Sequence, residues 1–224
     1  ARELAPRPGA TKSCAEWLED LNAQYGMDKG IVGGYFIWLG NALRGNWGDS
    51  WAWTIPVTQE FQNTVWYSFE LGLAAFILEI LFAIPLGITA AKKQYGFTDY
   101  FTTVVAMICI SLPTFFLATL LKYVFAIKLG WFDLAGMQSR NYMNLSDFGK
   151  ILDVAKHFVL PLITLVVISI GGLMRYTRTN MLEVLNADYI RTARAKGVPE
   201  RKVINHHAFR NTLIPLVTML GGSL

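Results

Sequence analysis

Three long apolar runs dominate this chain and leave it few folds to choose from. The first covers residues 64–91 (TVWYSFELGLAAFILEILFAIPLGITAA), the second about 100–127, and the third about 157–174. A fourth opens at Leu213 and reads LIPLVTMLGGSL. A helix needs about 20 mainly apolar residues to cross a hydrocarbon core of about 30 Å. The first two runs meet that length, and the third meets it if its helix continues through Tyr176. None alternates apolar and polar residues as the strands of a membrane barrel do. The expected fold is therefore all-α and membrane-embedded: a partial polytopic bundle of about three full spans and the start of a fourth. Composition agrees, since only 16% of residues are charged against about 25% in soluble domains.

Orientation follows from where Lys and Arg fall, because cytoplasmic loops carry the excess. Residues 175–211 hold eight of them (Arg175, Arg178, Arg191, Arg194, Lys196, Arg201, Lys202, Arg210) against Glu183, Asp188 and Glu200. The loop 175–212 is accordingly expected to be cytoplasmic. Alternation then makes 128–156 external, the basic stretch from Lys92 cytoplasmic, and residues 1–60 external. The N-terminal segment fits that side, with five Lys/Arg against seven Asp/Glu. It opens ARELAPRPGATKSC with no apolar export signal, so a helix upstream is expected to carry it across. The expected division is an external segment 1–63 followed by a transmembrane domain 64–224, the middle of a larger subunit with helices before and after it.

Pro85, Pro113 and Pro161 interrupt the three runs, and each is expected to kink its helix locally. Glu70 and Glu79 lie in the first run. A carboxylate at such depth faces a bundle interior or water, so both are candidate pathway-lining residues, with interhelix pairing as the equally weighted alternative. Lys122, near the end of its span, is expected to snorkel to the headgroups. Catalytic and metal motifs are missing: the sequence holds no phosphate loop, HExxH or GxSxG. Adjacent His206 and His207 point in different directions on a helix, and Cys14 and Cys109 sit in unrelated contexts. Any ATP used by this system would bind another chain.

The basic loop carries the most information. Leu182, Leu185, Tyr189 and Ala193 repeat at helical spacing, which extends the third span toward the cytoplasm. Gly197 is expected to end that helix in the left-handed conformation. Val198-Pro199-Glu200 then restarts a helix, with Pro in the first turn and Glu favoured by the dipole. On it Val203, Ile204, His207 and Ala208 form one short apolar face, while Arg201, Lys202 and Asn205 face elsewhere. The expected product is a short amphipathic helix lying along the membrane, roughly residues 198–207, before the chain re-enters near Pro215. Resting on anionic lipid is the plainer role for such a helix.

The stretch ADYIRTARAKGVPERKVINHHAFRNTLIP resembles the signature loop of ABC importer membrane subunits, in the dipeptide/oligopeptide (and nickel) branch. The general pattern of those loops is Glu-Ala-Ala, three residues, then Gly; here Ala193 and Gly197 keep it, while Arg191 and Thr192 replace Glu-Ala. YFIWLGNALRGNWGDSW (35–51), ISLPTFF (110–116) and KLGWF (128–132) resemble the same branch. The resemblance implies a six-helix permease of a prokaryotic cytoplasmic (inner) membrane, of which this chain holds the second to fourth helices and part of the fifth. It implies a homologous second permease subunit, two ABC ATPase subunits holding ATP and Mg, an external solute-binding protein and a surrounding lipid bilayer, with no nucleic-acid partner and no cofactor on this chain. The ATPases would grip the 188–211 loop, with Ala193, Gly197, Val198, Pro199, Glu200, Arg201, Val203, Ile204 and His207 as the coupling residues. The rival reading is an ion-coupled secondary transporter working through Glu70 and Glu79.

The topology is directly testable. In a variant lacking the native cysteines, Asn141→Cys should react with an impermeant thiol reagent added to intact cells, and Lys202→Cys should not. The opposite labelling would invert the orientation.

Overall fold

The computed structural model describes residues 13–50 and 55–222, with the side chains of Cys14 and Trp17 excepted. Trp51 of the 35–51 motif, residues 1–12 and 51–54 of the N-terminal segment, and the last two residues lie outside that range. The chain divides into two compact units, residues 1–68 and 69–224.

The first unit is a helical hairpin. Ser13 caps α1 (Cys14–Tyr25) with its hydroxyl, and Glu16 returns a carboxylate to the Ser13 N–H, a reciprocal pair that satisfies two orphan donors. Gly26 ends the helix at φ +60°, a conformation a side chain resists. After one 3₁₀ turn comes α2 (Gly30–Leu43). The Asn41 amide on α2 donates to the carbonyls of Ala23 and Gln24, which ties the hairpin shut.

Two helices are long and apolar enough to cross a membrane: α3 (Val57–Lys92) and α6 (Asp147–Leu185). Both outrun their apolar stretches. The expected external loop 128–156 turns helical at Asp147, where the Ser146 hydroxyl accepts from the Gly149 N–H and caps α6. Pro85 and Pro161 lie inside α3 and α6 without breaking either.

The second run behaves differently. It forms α4 (Phe97–Ser111) and α5 (Thr114–Leu121), the latter continuing as a π-helical stretch Lys122–Lys128. The two halves are bent by 97°, so the expected kink at Pro113 is a full break. Leu112 and Pro113 are both extended, at ψ 124° and 135°. A proline pushes its predecessor out of the helical region and cannot itself supply a helical hydrogen bond. Counted as one broken span, the pair makes a third crossing; α9 (Phe209–Gly221) is a short final helix. No strand occurs among the described residues, only an isolated bridge between Asp49 and Pro56.

Helix α6 packs against α4 and α3 through small residues, the usual way membrane helices approach closely when the solvent is itself apolar. A Cβ placed on Gly171 would stand 2.7 Å from the Ala106 carbonyl oxygen of α4. One placed on Gly87 of α3 would stand 2.7 Å from the Met174 carbonyl oxygen and Thr177 Cβ of α6. Around these crossings Ala83, Ile84, Ala106, Leu173 and Met174 are buried. Outward, α3 shows Leu73, Ile77 and Leu81.

Neighbouring glycines give a controlled test. Gly171→Ala should lower the protein's melting temperature in detergent, by the roughly 1–3 kcal/mol that overpacking costs. Gly172→Ala meets no atom within 4 Å and should be neutral or raise it slightly, because Ala favours helix over Gly by about 1 kcal/mol. Equal effects at the two positions would contradict the close crossing.

Candidate functional site

The periodicity of Leu182, Leu185, Tyr189 and Ala193 is real but spans two helices. Helix α6 stops at Leu185, Asn186 caps it by donating its side-chain amide to the Leu182 carbonyl at 3.0 Å, and Ala187 is extended. Helix α7 (Asp188–Ala195) then begins with Asp188 in its first turn, where the helix dipole favours a negative charge. Periodicity could not reveal the break, since Leu182 and Leu185 of α6 and Ala193 of α7 pack on the same core while Tyr189 faces out. The Asn-Ala-Asp triplet carries the signal, as a C-terminal cap followed by an N-terminal acid.

Gly197 sits at φ +75°, as the sequence reading expects. The Gly197 N–H donates to the Arg194 carbonyl at 2.9 Å and the Val198 N–H to the Ala193 carbonyl at 3.2 Å, the paired bonds of a Schellman motif. Across the turn, Arg194 and Glu200 form a two-pronged pair, Nε to Oε2 at 3.1 Å and Nη2 to Oε1 at 2.8 Å. The guanidinium holds the Glu200 carboxyl below its usual range and is itself raised. The pair therefore contributes above the ordinary carboxylate pKa and is lost as pH falls through the depressed one; being largely exposed, it is worth well under about 1 kcal/mol.

Two expectations about the coupling helix need correcting. Residues 198–207 do not form a separate short helix. From Pro199, which occupies the cap, the chain runs helically through α8 (Glu200–Lys202), a π-helical stretch Val203–Ala208 and α9 without interruption. No cap or glycine follows His207 to stop it, and Asn211 and Thr212 donate back to the carbonyls of His207 and Ala208 as residues within a helix do. Pro215 lies inside α9. The short helix set off by a break at each end is α7.

The second correction concerns Val203 and Ile204, which face inward. They are 0% and 5% exposed, packed with Ala91 of α3, Met181 of α6, Ile190 and Ala193 of α7, and Ala208. Val198 packs on the same cluster. Apolar side chains on a helix with another protein surface at hand bury there, at roughly 1.5–3 kcal/mol for each large one. His207 is half-buried. Exposed residues of the loop instead include Tyr189, Arg191, Thr192, Arg194, Lys196, Gly197, Pro199, Glu200, Arg201 and Lys202.

One anchor escaped the sequence reading. Asp99, 3% exposed at the start of α4, accepts a two-pronged bond from Arg178 of α6: one prong from Nε to Oδ1, the other from Nη2 to Oδ2 at 2.8 Å. It also accepts from the Tyr95 N–H at 2.9 Å, and Tyr95 is the one described non-glycine residue at positive φ. The carboxylate thus fixes the turn after α3 to the helix that leads into α7. Arg178 had counted only as one of the loop's positive charges, because a pair 79 residues apart leaves no local pattern. Glu70 is exposed and Glu79 half-buried on α3. At about 100° per residue their spacing puts them on opposite faces of α3.

Residues 83–224 match the family of binding-protein-dependent transport system inner membrane components. The chain belongs to this family. The match begins in the C-terminal half of α3 and covers α4 to α9, the whole apparatus just described. Among similar proteins, the oligopeptide transport system permease protein AppB of Bacillus subtilis is 37% identical over 204 residues, 91% of this chain and 63% of that protein. A putative peptide permease protein of Brucella ovis is 36% identical over 218 residues, 97% of this chain and 66% of its own length. The di/tripeptide transport system permease protein DppB of Pseudomonas aeruginosa is 35% identical over 209 residues, 88% of this chain and 62% of that protein. The chain thus spans just under two thirds of the relatives' length. A family of binding-protein-dependent systems gives no support to the ion-coupled reading of Glu70 and Glu79.

The inward packing makes a specific prediction. Val203→Asp should prevent accumulation of folded protein, because an unpaired buried carboxylate costs several kcal/mol. Lys202→Asp, one residue earlier and exposed, should leave folding intact. A stable Val203→Asp protein would mean the side chain points outward after all.

Proposed function

We propose that this chain is the permease subunit of an ATP-driven ABC importer of peptides. It pairs with a homologous membrane subunit to form the translocation pathway, and an external solute-binding protein delivers the substrate. Two cytoplasmic ATPase subunits hold ATP and Mg. Peptides are the substrate class because the relatives' names specify oligopeptide and di/tripeptide transport. Residues 1–60 and 128–156 are external in this reading, and 92–99 and 175–212 cytoplasmic.

The observation that carries the reading is the construction of the loop. An exposed, mostly basic face on α7 and its turn stands on an apolar core shared with α3 and α6. A face of that kind can be gripped, and the core beneath it passes displacement to two spanning helices. Interfaces and packed cores switch between discrete arrangements rather than deform continuously. The ATPase therefore meets Tyr189, Arg191 and the turn around Gly197, not Val203 or Ile204. Closing of the ATPases on ATP moves α7 together with the inner ends of α3 and α6. For that to drive transport, the ATPase must contact the two states differently.

In the assembled transporter, Tyr189→Ala/Arg191→Glu should cut ATPase association about tenfold or more, as loss of an aromatic and an arginine anchor does at interfaces. The charge-matched Arg140→Glu should leave association unchanged. Full ATPase recovery and peptide uptake in the double variant would rule out α7 as the docking helix.

A further inference from the structure

Near the N-terminal half of α6 lies a cavity of about 390 Å³, within the size range of small-ligand sites. Its walls are mainly apolar, from residues such as Leu71, Phe132 and Leu160, and a few polar groups converge on it. One is unusual. The His157 side chain is 3% exposed, and its Nδ1 lies 2.7 Å from the Asp153 carbonyl oxygen. A carbonyl only accepts, so Nδ1 carries a proton, and Nε2 is the ring's remaining polar atom.

That nitrogen is buried and has no hydrogen-bond partner among the described residues. Its neighbour is Asp133 Oδ2 at 3.3 Å, and Asp153 Oδ2 lies 3.9 Å from Nδ1. Lys156 Nζ stands 3.9 Å from the same carboxylate, beyond hydrogen-bond reach. His157 Nε2 thus lacks a hydrogen-bond partner among the described residues, and a buried polar atom left unpaired is costly. A primary ammonium supplies three N–H groups and the positive charge Asp133 calls for. The same cavity is lined by Lys122, which has no ion-pair partner among the described residues and is suited to a carboxylate.

We propose that this cavity is a subsite for short apolar peptides, with the N-terminal ammonium on Asp133 Oδ2 and His157 Nε2 and the C-terminal carboxylate on Lys122. The assignment rests on the peptide-import reading above for its ligand class. The ligand's two charged ends and apolar body match the acidic and basic side chains and the apolar walls that line the cavity. Lys122, which a lipid-facing reading sends to the headgroups, here has a partner to meet.

The test uses the assembled full-length transporter in lipid nanodiscs, with the solute-binding protein left out so that its own selectivity does not enter. Equilibrium binding is measured for Leu-Leu, N-acetyl-Leu-Leu and Leu-Leu amide. Wild type should bind Leu-Leu about tenfold or more tightly than the acetylated peptide, the scale of one hydrogen-bonded charge. Asp133→Asn, at a half-exposed position where folding is safe, should abolish that discrimination while leaving the acetylated peptide's affinity unchanged. Lys122→Gln should abolish discrimination against the amide. No binding of Leu-Leu to wild type, or full discrimination in Asp133→Asn, would overturn the subsite; the second result would mean that His157 and Asp133 only strap the loop to α6. Peptide uptake by the complete system is scored separately. Its absence would remove the import reading, whereas uptake with unaltered discrimination in both variants would remove the subsite alone.

Discussion

The second unit leans on a single helix. Along α6, one face meets α4 at Gly171 and α3 opposite Thr177, Arg178 clamps Asp99, and Met181 enters the core beneath α7. At its other end Asp153 holds the loop 131–140 by accepting from the Ser139 N–H at 2.8 Å. Each contact requires the backbone of α6 to stand at a fixed distance from its neighbours. Glycine and alanine set that distance at the crossings. Ion pairing and apolar packing then fix the rotation, because a turn of the helix would expose Met181 and unpair a buried carboxylate, which costs several kcal/mol.

The spans were legible because a 20-residue apolar run has few other solutions, and the turn at Gly197 was legible because few residues but glycine adopt that conformation cheaply. The break at Ser111–Pro113 was half visible: a proline announces a disturbance but not whether the helix resumes in line. What failed had a common cause. An apolar face on residues 203–208 tells which side chains seek cover but not which surface covers them. Lipid, an ATPase and the chain's own α6 are equivalent to the sequence pattern, and the nearest covering surface won. Asp99 and Arg178 were invisible for a similar reason, since long-range pairing of charges leaves no periodic trace.

If α7 is the element an ATPase grips, as proposed, the loop works differently from a lever at 198–207. A separate amphipathic helix would act as a lever hinged at both ends. In the structure the hinges bracket α7, while the segment after Pro199 continues into α9 and shares its core with α6 and α3. Residues 188–208 are therefore part of the packed end of the bundle beside α3 and α6, so a displacement of α7 would reach those helices. The Asp99–Arg178 pair extends the same body to α4.

Rigidity of this end of the bundle follows. Spin labels at Thr179 and Arg201, both exposed, would report its internal distance in the assembled transporter without nucleotide and with ATP trapped. The account predicts superimposable distance distributions within the chain in the two states, alongside a changed distance from Arg201 to its counterpart in the paired subunit. A shift of the internal distance on ATP trapping, with the counterpart distance unchanged, would show that the loop flexes on the bundle instead of moving with it.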